Sequence, residues 1–184
     1  MLMDWIRRML HELYPRYIDD PNFMDTPRRF ERVLEDFFWS EERVERAIDE
    51  LFKAVFPSRL DEIVMVKDVE VWMLCPHHLL PVRMEVAIGY LPNGRVLGLS
   101  KLPRLARLLA RRPRLQEEYT ELLVGILMEK LNPRGAMAIV KGEHTCVRMR
   151  GVRMSDAVMV TSAVRGEFME KPSLKQEFLD LMGR

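Results

Sequence analysis

The sequence predicts an α+β protein whose antiparallel sheet carries packed helices on one face. Three observations lead there. Apolar residues recur every three to four positions through residues 1–60, the period falls to two from Glu62, and a long helical pattern then separates that alternating stretch from further strand-like segments. A length of 184 residues fits one folding domain, with an N-terminal helical region, 1–60, and a remainder, 61–184, that holds the sheet.

In the N-terminal region, Asp25-Thr26-Pro27 sets a capping residue before a proline suited to the first helical turn, and Phe30, Val33, Leu34 and Phe37 follow on one face. Ser40-Glu41-Glu42 starts a second helix, with Val44, Ala47, Ile48 and Leu51 as its stripe. Such stripes serve a core or a subunit contact far more often than a cofactor. From Glu62, alternation through Val64, Val66, Val69, Val71 and Met73 marks a strand ending at Cys75, and Val82 to Tyr90 marks a second. Leu91-Pro92-Asn93-Gly94 reads as a turn. Ser100 is placed to cap a helix carrying Leu105, Leu108 and Leu109; Arg112-Pro113 interrupts it, and Leu115 to Leu131 forms a long amphipathic helix stopped by Asn132-Pro133-Arg134-Gly135. Ala136 to Val140, Cys146 to Arg150 and Ala157 to Val164 read as strands, and Ser173 to Met182 as a terminal helix.

Composition narrows the function. Lys and Arg total 29 against 28 Asp and Glu, a net charge of +1, which lacks the basic footprint of a nucleic-acid binder. Arg7, Arg8, His11 and Glu12 break up the opening segment, so it has no signal-peptide core, and no run approaches the roughly 18 apolar residues of a membrane span. With two cysteines better suited to ligation than to a disulfide, a cytoplasmic protein is expected.

Those cysteines carry the main chemical signal. Cys75-Pro76-His77-His78 and His144-Thr145-Cys146 bring three of the chain's four histidines within three residues of its only thiols. A lone Cys is usually a small buried hydrophobe and a lone His a satisfied polar group, but this clustering favours a shared metal. Cys75 and His78 have ligand spacing, Cys146 completes a Cys₂His set, and the fourth tetrahedral position is left for water. His77 then lies beside the metal without binding it. If His144 and Cys146 share a strand they face the same way, so His144 reaches the reaction space. Two unligated imidazoles suit general acid–base work near neutral pH.

Two weaker signals follow. Ser100, Lys101 and Arg104 fall at a helix start, where free N–H groups and added positive charge favour phosphate, although basic residues there are often merely solvated. Gln116 and Glu117 fall at the next helix start, where a carboxylate could accept from paired donors such as the N1–H and 2-amino edge of guanine; acidic residues also favour that position for the helix dipole alone.

Cys-x-His-His-Leu-Leu-Pro, Gly-Leu-Ser-Lys-x-x-Arg, Arg-Pro-x-x-Gln-Glu and His-x-Cys-x-x-x-Arg-Gly-Val occur in this order. Together, from Thr26-Pro27-Arg28-Arg29 to about Phe168, they resemble the GTP cyclohydrolase I family. The resemblance implies the tunnelling fold, a toroidal homodecamer with active sites at subunit boundaries, and zinc-dependent conversion of GTP to 7,8-dihydroneopterin triphosphate and formate. It implies Cys75, His78 and Cys146 as zinc ligands and His77 and His144 as catalytic residues. It also implies Gln116 and Glu117 as readers of guanine, and Ser100, Lys101, Arg104, Arg150 and Arg29 as holders of the triphosphate. Two departures stand out: Pro76 where the family usually has Glu, and Glu118-Tyr119 where it tends to have Arg-Leu. Alternatives are a relative that only opens the purine ring and a non-catalytic zinc-containing purine or pterin binder.

Overall fold

The computed structural model describes residues 2–15 and 20–183, and every candidate site residue lies among them. The chain divides into two compact units, Met1–Trp39 and Ser40–Arg184. The first holds α1 (Leu2–Leu13) and α2 (Thr26–Phe37). Pro27 sits in the opening turn of α2 as its fixed φ favours, but the Asp25 side chain makes no capping bond and faces Arg29 instead, 3.6 Å away. The α2 stripe is only partly covered, since Phe30 and Val33 remain exposed.

The second unit begins with α3 (Glu41–Leu51), where Ser40 Oγ accepts from the Arg43 N–H at 3.3 Å and Glu41 and Glu42 complement the helix dipole. Val44, Ile48 and Leu51 bury its apolar face. Four strands follow the alternating segments: β2 (Val64–Leu74), β3 (Pro81–Leu91), β5 (Gly135–His144) and β6 (Met159–Gly166), antiparallel in the order β2-β3-β5-β6. A small ribbon pairs β1 (Val55–Pro57) with β4 (Arg95–Leu97), neither of which the sequence pattern announces. The Tyr90 hydroxyl ties it to the sheet by accepting from the Leu97 N–H at 2.8 Å.

The helices α4 (Lys101–Leu109) and α5 (Gln116–Leu131) join the two halves of the sheet. Asn132 ends α5 in a left-handed conformation, φ 52°. Val82, Met84, Val86, Ile88 and Tyr90 on β3 share a fully buried face with Ala136, Ala138 and Val140 on β5. Residues of opposite parity, Ala87, Leu91, Met137 and Ile139, pack with Phe168 of α7 (Glu167–Glu170) and Phe178 of α8 (Pro172–Gly183). The terminal helix therefore lies against the other face from α5, an addition to the one-face arrangement. Leu174, Phe178 and Met182 at four-residue spacing make that contact.

One expected strand is corrected. Cys146 to Arg150 does not alternate in a sheet; Thr145–Arg148 forms the short helical turn α6. β6 pairs with β5 no further than Gly142, opposite Met159, so beyond that point one edge of β5 has no partner to extend the ladder. Among the described residues no helix is long and apolar enough to cross a membrane.

Candidate metal centre and its surroundings

Two segments meet where β2 ends and β5 ends. After Leu74 the chain forms a tight loop in which the Leu79 N–H donates to Cys75 O at 2.9 Å, the Cys75 N–H donates to Leu80 O at 3.0 Å, and Leu79 takes φ 52°. Pro76 occupies the first position inside this turn, where the ring's φ is already correct and no N–H is required. The loop delivers the chain into β3 at Pro81. On the other side, Val82 pairs with His144, and the Thr145 hydroxyl donates to Pro81 O at 2.6 Å. The Arg148 guanidinium anchors the same turn by donating to Glu143 at 2.7 Å and to Ala157 O at 3.3 Å. The turn that carries Cys146 is thus stitched to the loop that carries Cys75 and His78.

The result is a compact donor set: ligand atoms of Cys75, His78 and Cys146 all lie within 4.8 Å of one another. Two thiolates about 2.3 Å from a tetrahedral zinc stand about 3.8 Å apart, so small side-chain adjustments suffice. Neither cysteine is in a disulfide. Burial, and then the neighbouring Cys75, push the Cys146 thiol up, while Arg150 pulls it down. A divalent cation held by these donors would reverse that balance, so the set fits a metal ion.

Two more imidazoles border it. His77 Nδ1 lies 3.7 Å from Cys75 Sγ, and His144 Nδ1 lies 4.0 Å from Cys146 Sγ. His144 and Cys146 therefore share one side of the site, although by a strand end and a helical turn and not by alternation. Burial lowers the His144 pKa and the Glu117 carboxylate opposes it, so burial favours the neutral ring and Glu117 lies in its electrostatic neighbourhood. The Arg150 guanidinium, on the exposed loop after α6, lies 2.8 Å from His78 Nε2.

A profile described as GTP cyclohydrolase I matches residues 5–183. This chain belongs to the GTP cyclohydrolase I family. It is 40% identical over 182 residues to GTP cyclohydrolase 1 of Thermobifida fusca (strain YX), covering 96% of this chain and 86% of that protein. Against GTP cyclohydrolase 1 of Methylococcus capsulatus it is 39% identical over 162 residues, covering 88% and 86%. The archaeosine synthase QueF-Like in its apo form aligns with a TM-score of 0.44 at 21% identity, covering 57% of this chain and 94% of its own.

The remaining candidates of this GTP cyclohydrolase I family member are placed less alike. Ser100 occupies the N-cap position of α4 with a helical backbone and no side-chain capping bond, so its hydroxyl is not committed to the helix. Lys101 is half-buried and Arg104 exposed, and among the described residues neither makes an ion pair. Arg29 belongs to the first unit, on α2. Glu117 is exposed in the first turn of α5. Gln116, one residue earlier, differs: it is 1% exposed and its amide is bonded within the chain to Val140 O, Met159 O, Thr161 Oγ1 and His144. In this conformation it faces the protein and offers no free group to a base. The residues that hold it there, Thr120, Thr161 and Gly142, were missed by the sequence reading; the only local hint is Thr120, one helical turn after Gln116.

Proposed function

We propose that this chain hydrolyses GTP to 7,8-dihydroneopterin triphosphate and formate, with zinc held by Cys75, His78 and Cys146. The observation that supports it best is the convergence of that donor triad with two further imidazoles, on a chain of this family. A purely structural zinc site needs neither His77 nor His144. Zinc bound there supplies Lewis acidity beside the guanine imidazole ring. Water adds at C8, the two C8–N bonds break with the nitrogens taking up protons, and that carbon leaves as formate; His144 exchanges a proton with the ring nitrogen in this step, and His77 moves protons during ribose rearrangement. Glu117 accepts from the N1–H and 2-amino group of guanine. Ser100, Lys101, Arg104, Arg150 and Arg29 hold the triphosphate, the first three aided by free N–H groups at the start of α4.

The working unit is a homo-oligomer, a decamer with active sites at subunit boundaries. The loop around Arg150 supports this, since Met149, Val152 and Met154 are exposed apolar residues there that a second copy would cover. Two cysteines free of disulfide bonding accord with the cytoplasm.

Incubation with GTP and zinc should release formate and yield a pterin that fluoresces after oxidation; fully metallated protein that gives neither overturns the proposal. Mass spectrometry of the product separates completed ring closure from ring opening alone. Cys146→Ala should abolish zinc retention, whereas His144→Ala should keep zinc and lose turnover by more than about 100-fold. Zinc loss in both would make His144 a ligand.

A further inference from the structure

His144 Nε2 lies 2.9 Å from Gln116 Oε1, and the direction of that bond is decided one step further in. The Gln116 amide nitrogen lies 3.1 Å from each of Val140 O, Met159 O and Thr161 Oγ1. Two of these are carbonyls, which only accept, so a flipped amide would set oxygen against oxygen in a buried position. The hydroxyls run the same way. Thr120 gives its one proton to the Gln116 main-chain oxygen at 2.7 Å, so the Thr161 hydroxyl donates to Thr120 Oγ1, also at 2.7 Å, and its own oxygen is left to accept from the amide. Gln116 Oε1 must therefore face His144, and His144 must donate from Nε2.

The space for this amide is also particular. A Cβ on Gly142, two residues before His144 on β5, would lie 1.9 Å from Gln116 Oε1 and 2.9 Å from its carbonyl carbon. Only glycine lets the oxygen approach the strand closely enough to reach the imidazole.

We propose that Gln116 is a positioning residue that holds the His144 ring with Nε2–H turned inward, leaving Nδ1, which lies 4.0 Å from Cys146 Sγ, as the bare nitrogen. It rests on the proposed role of His144, and it gives Gln116 a task other than reading guanine. A proton taken on Nδ1 makes the ring a cation whose Nε2–H still donates to Gln116; giving it back restores the neutral tautomer. No proton passes to the amide, which has no basic site for it.

The direct test uses zinc-loaded, unsubstituted protein labelled with ¹⁵N-histidine, in which only four histidines contribute signals. The neutral His144 ring should show a protonated Nε2 and a bare Nδ1; the opposite tautomer overturns the proposal whether or not the protein turns over GTP. Gln116→Met keeps the length and removes the acceptor, and should mix the tautomers. It should also lower kcat by more than about tenfold, with KM for GTP within about threefold and zinc content unchanged. Gly142→Ala leaves Gln116 in the sequence but displaces its amide, and should change tautomer and kcat in the same direction. A raised KM with kcat intact in Gln116→Met would restore the guanine-reading role. An unsubstituted protein with the expected tautomer and no formate release would sink the GTP reaction while leaving the geometry of Gln116 standing.

Discussion

The strand β5 ends in two opposite chemistries. At its start, Arg134 donates to Glu167 through Nε at 2.7 Å and through its terminal nitrogen at 2.9 Å, and it also pairs with Asp61. Lys171 meets the same Glu167 carboxylate at 2.7 Å. Each formal charge there has its opposite within the chain. At its end, the Arg150 guanidinium lies beside the His78 imidazole, two thiols crowd each other, and two further histidines border them. The difference teaches where function sits: a group whose partners are all internal stabilises the fold, whereas mismatched partners mark a place completed from outside. On the function proposed above, a cation completes the thiols and an anion completes Arg150.

Disturbing the closed end should therefore cost stability and leave chemistry alone. Gly166, which precedes α7, has φ 61° and ψ −141°, and a Cβ there would lie 2.3 Å from Arg134 O and 2.8 Å from Gly135 Cα. Gly166→Ala combines backbone strain with a clash that only backbone movement relieves, so a loss of about 3 kcal/mol or more in urea denaturation is expected. Zinc per folded chain and kcat should stay within about twofold of the unsubstituted protein. A collapse of zinc binding at unchanged stability would erase the division between the two ends.

How far the sequence foretold this depends on whether the signal is local. β2, β3, α5 and α8 lie close to the expected stretches because alternation and helical spacing are properties of neighbouring residues. The grouping of Cys75, His78 and Cys146 as a set that could hold a metal was legible for a related reason, since Cys75 and His78 share one turn and His144 and Cys146 lie two residues apart. The ribbon of β1 and β4 was not, because Val55-Phe56-Pro57 is too short to alternate and contains a proline. Cys146 to Arg150 was misread because apolar–charged alternation over a few residues fits a helical turn as well as a strand, and here pairing to β6 had already stopped. Gln116 was the hardest. An acidic helix start is visible in sequence, but the acceptors that capture the amide lie 24, 43 and 45 residues away. No local pattern encodes that meeting.

Acid should separate the two ends in order. Glu167 is held far below its ordinary value near 4.5, at about 2, first by its bond to Arg134 and then by Lys171. A carboxyl whose folded pKa is depressed contributes stability that is complete above the unfolded value and lost as pH falls through the folded one. The clamp should therefore persist at pH 5 and weaken between about pH 4.5 and 2. Glu167→Gln should lower the urea midpoint modestly at pH 7, and the gap to the unsubstituted protein should close across that acid window. Zinc at the other end depends on thiolates and a neutral imidazole, all of which compete with protons at higher pH, so its release should come first. Following zinc release with a chelating dye while recording urea midpoints from pH 7 to 2 tests that sequence. Loss of the Glu167 contribution above pH 5, before zinc departs, would show that the clamp draws on the metal end and that β5 does not keep its two chemistries apart.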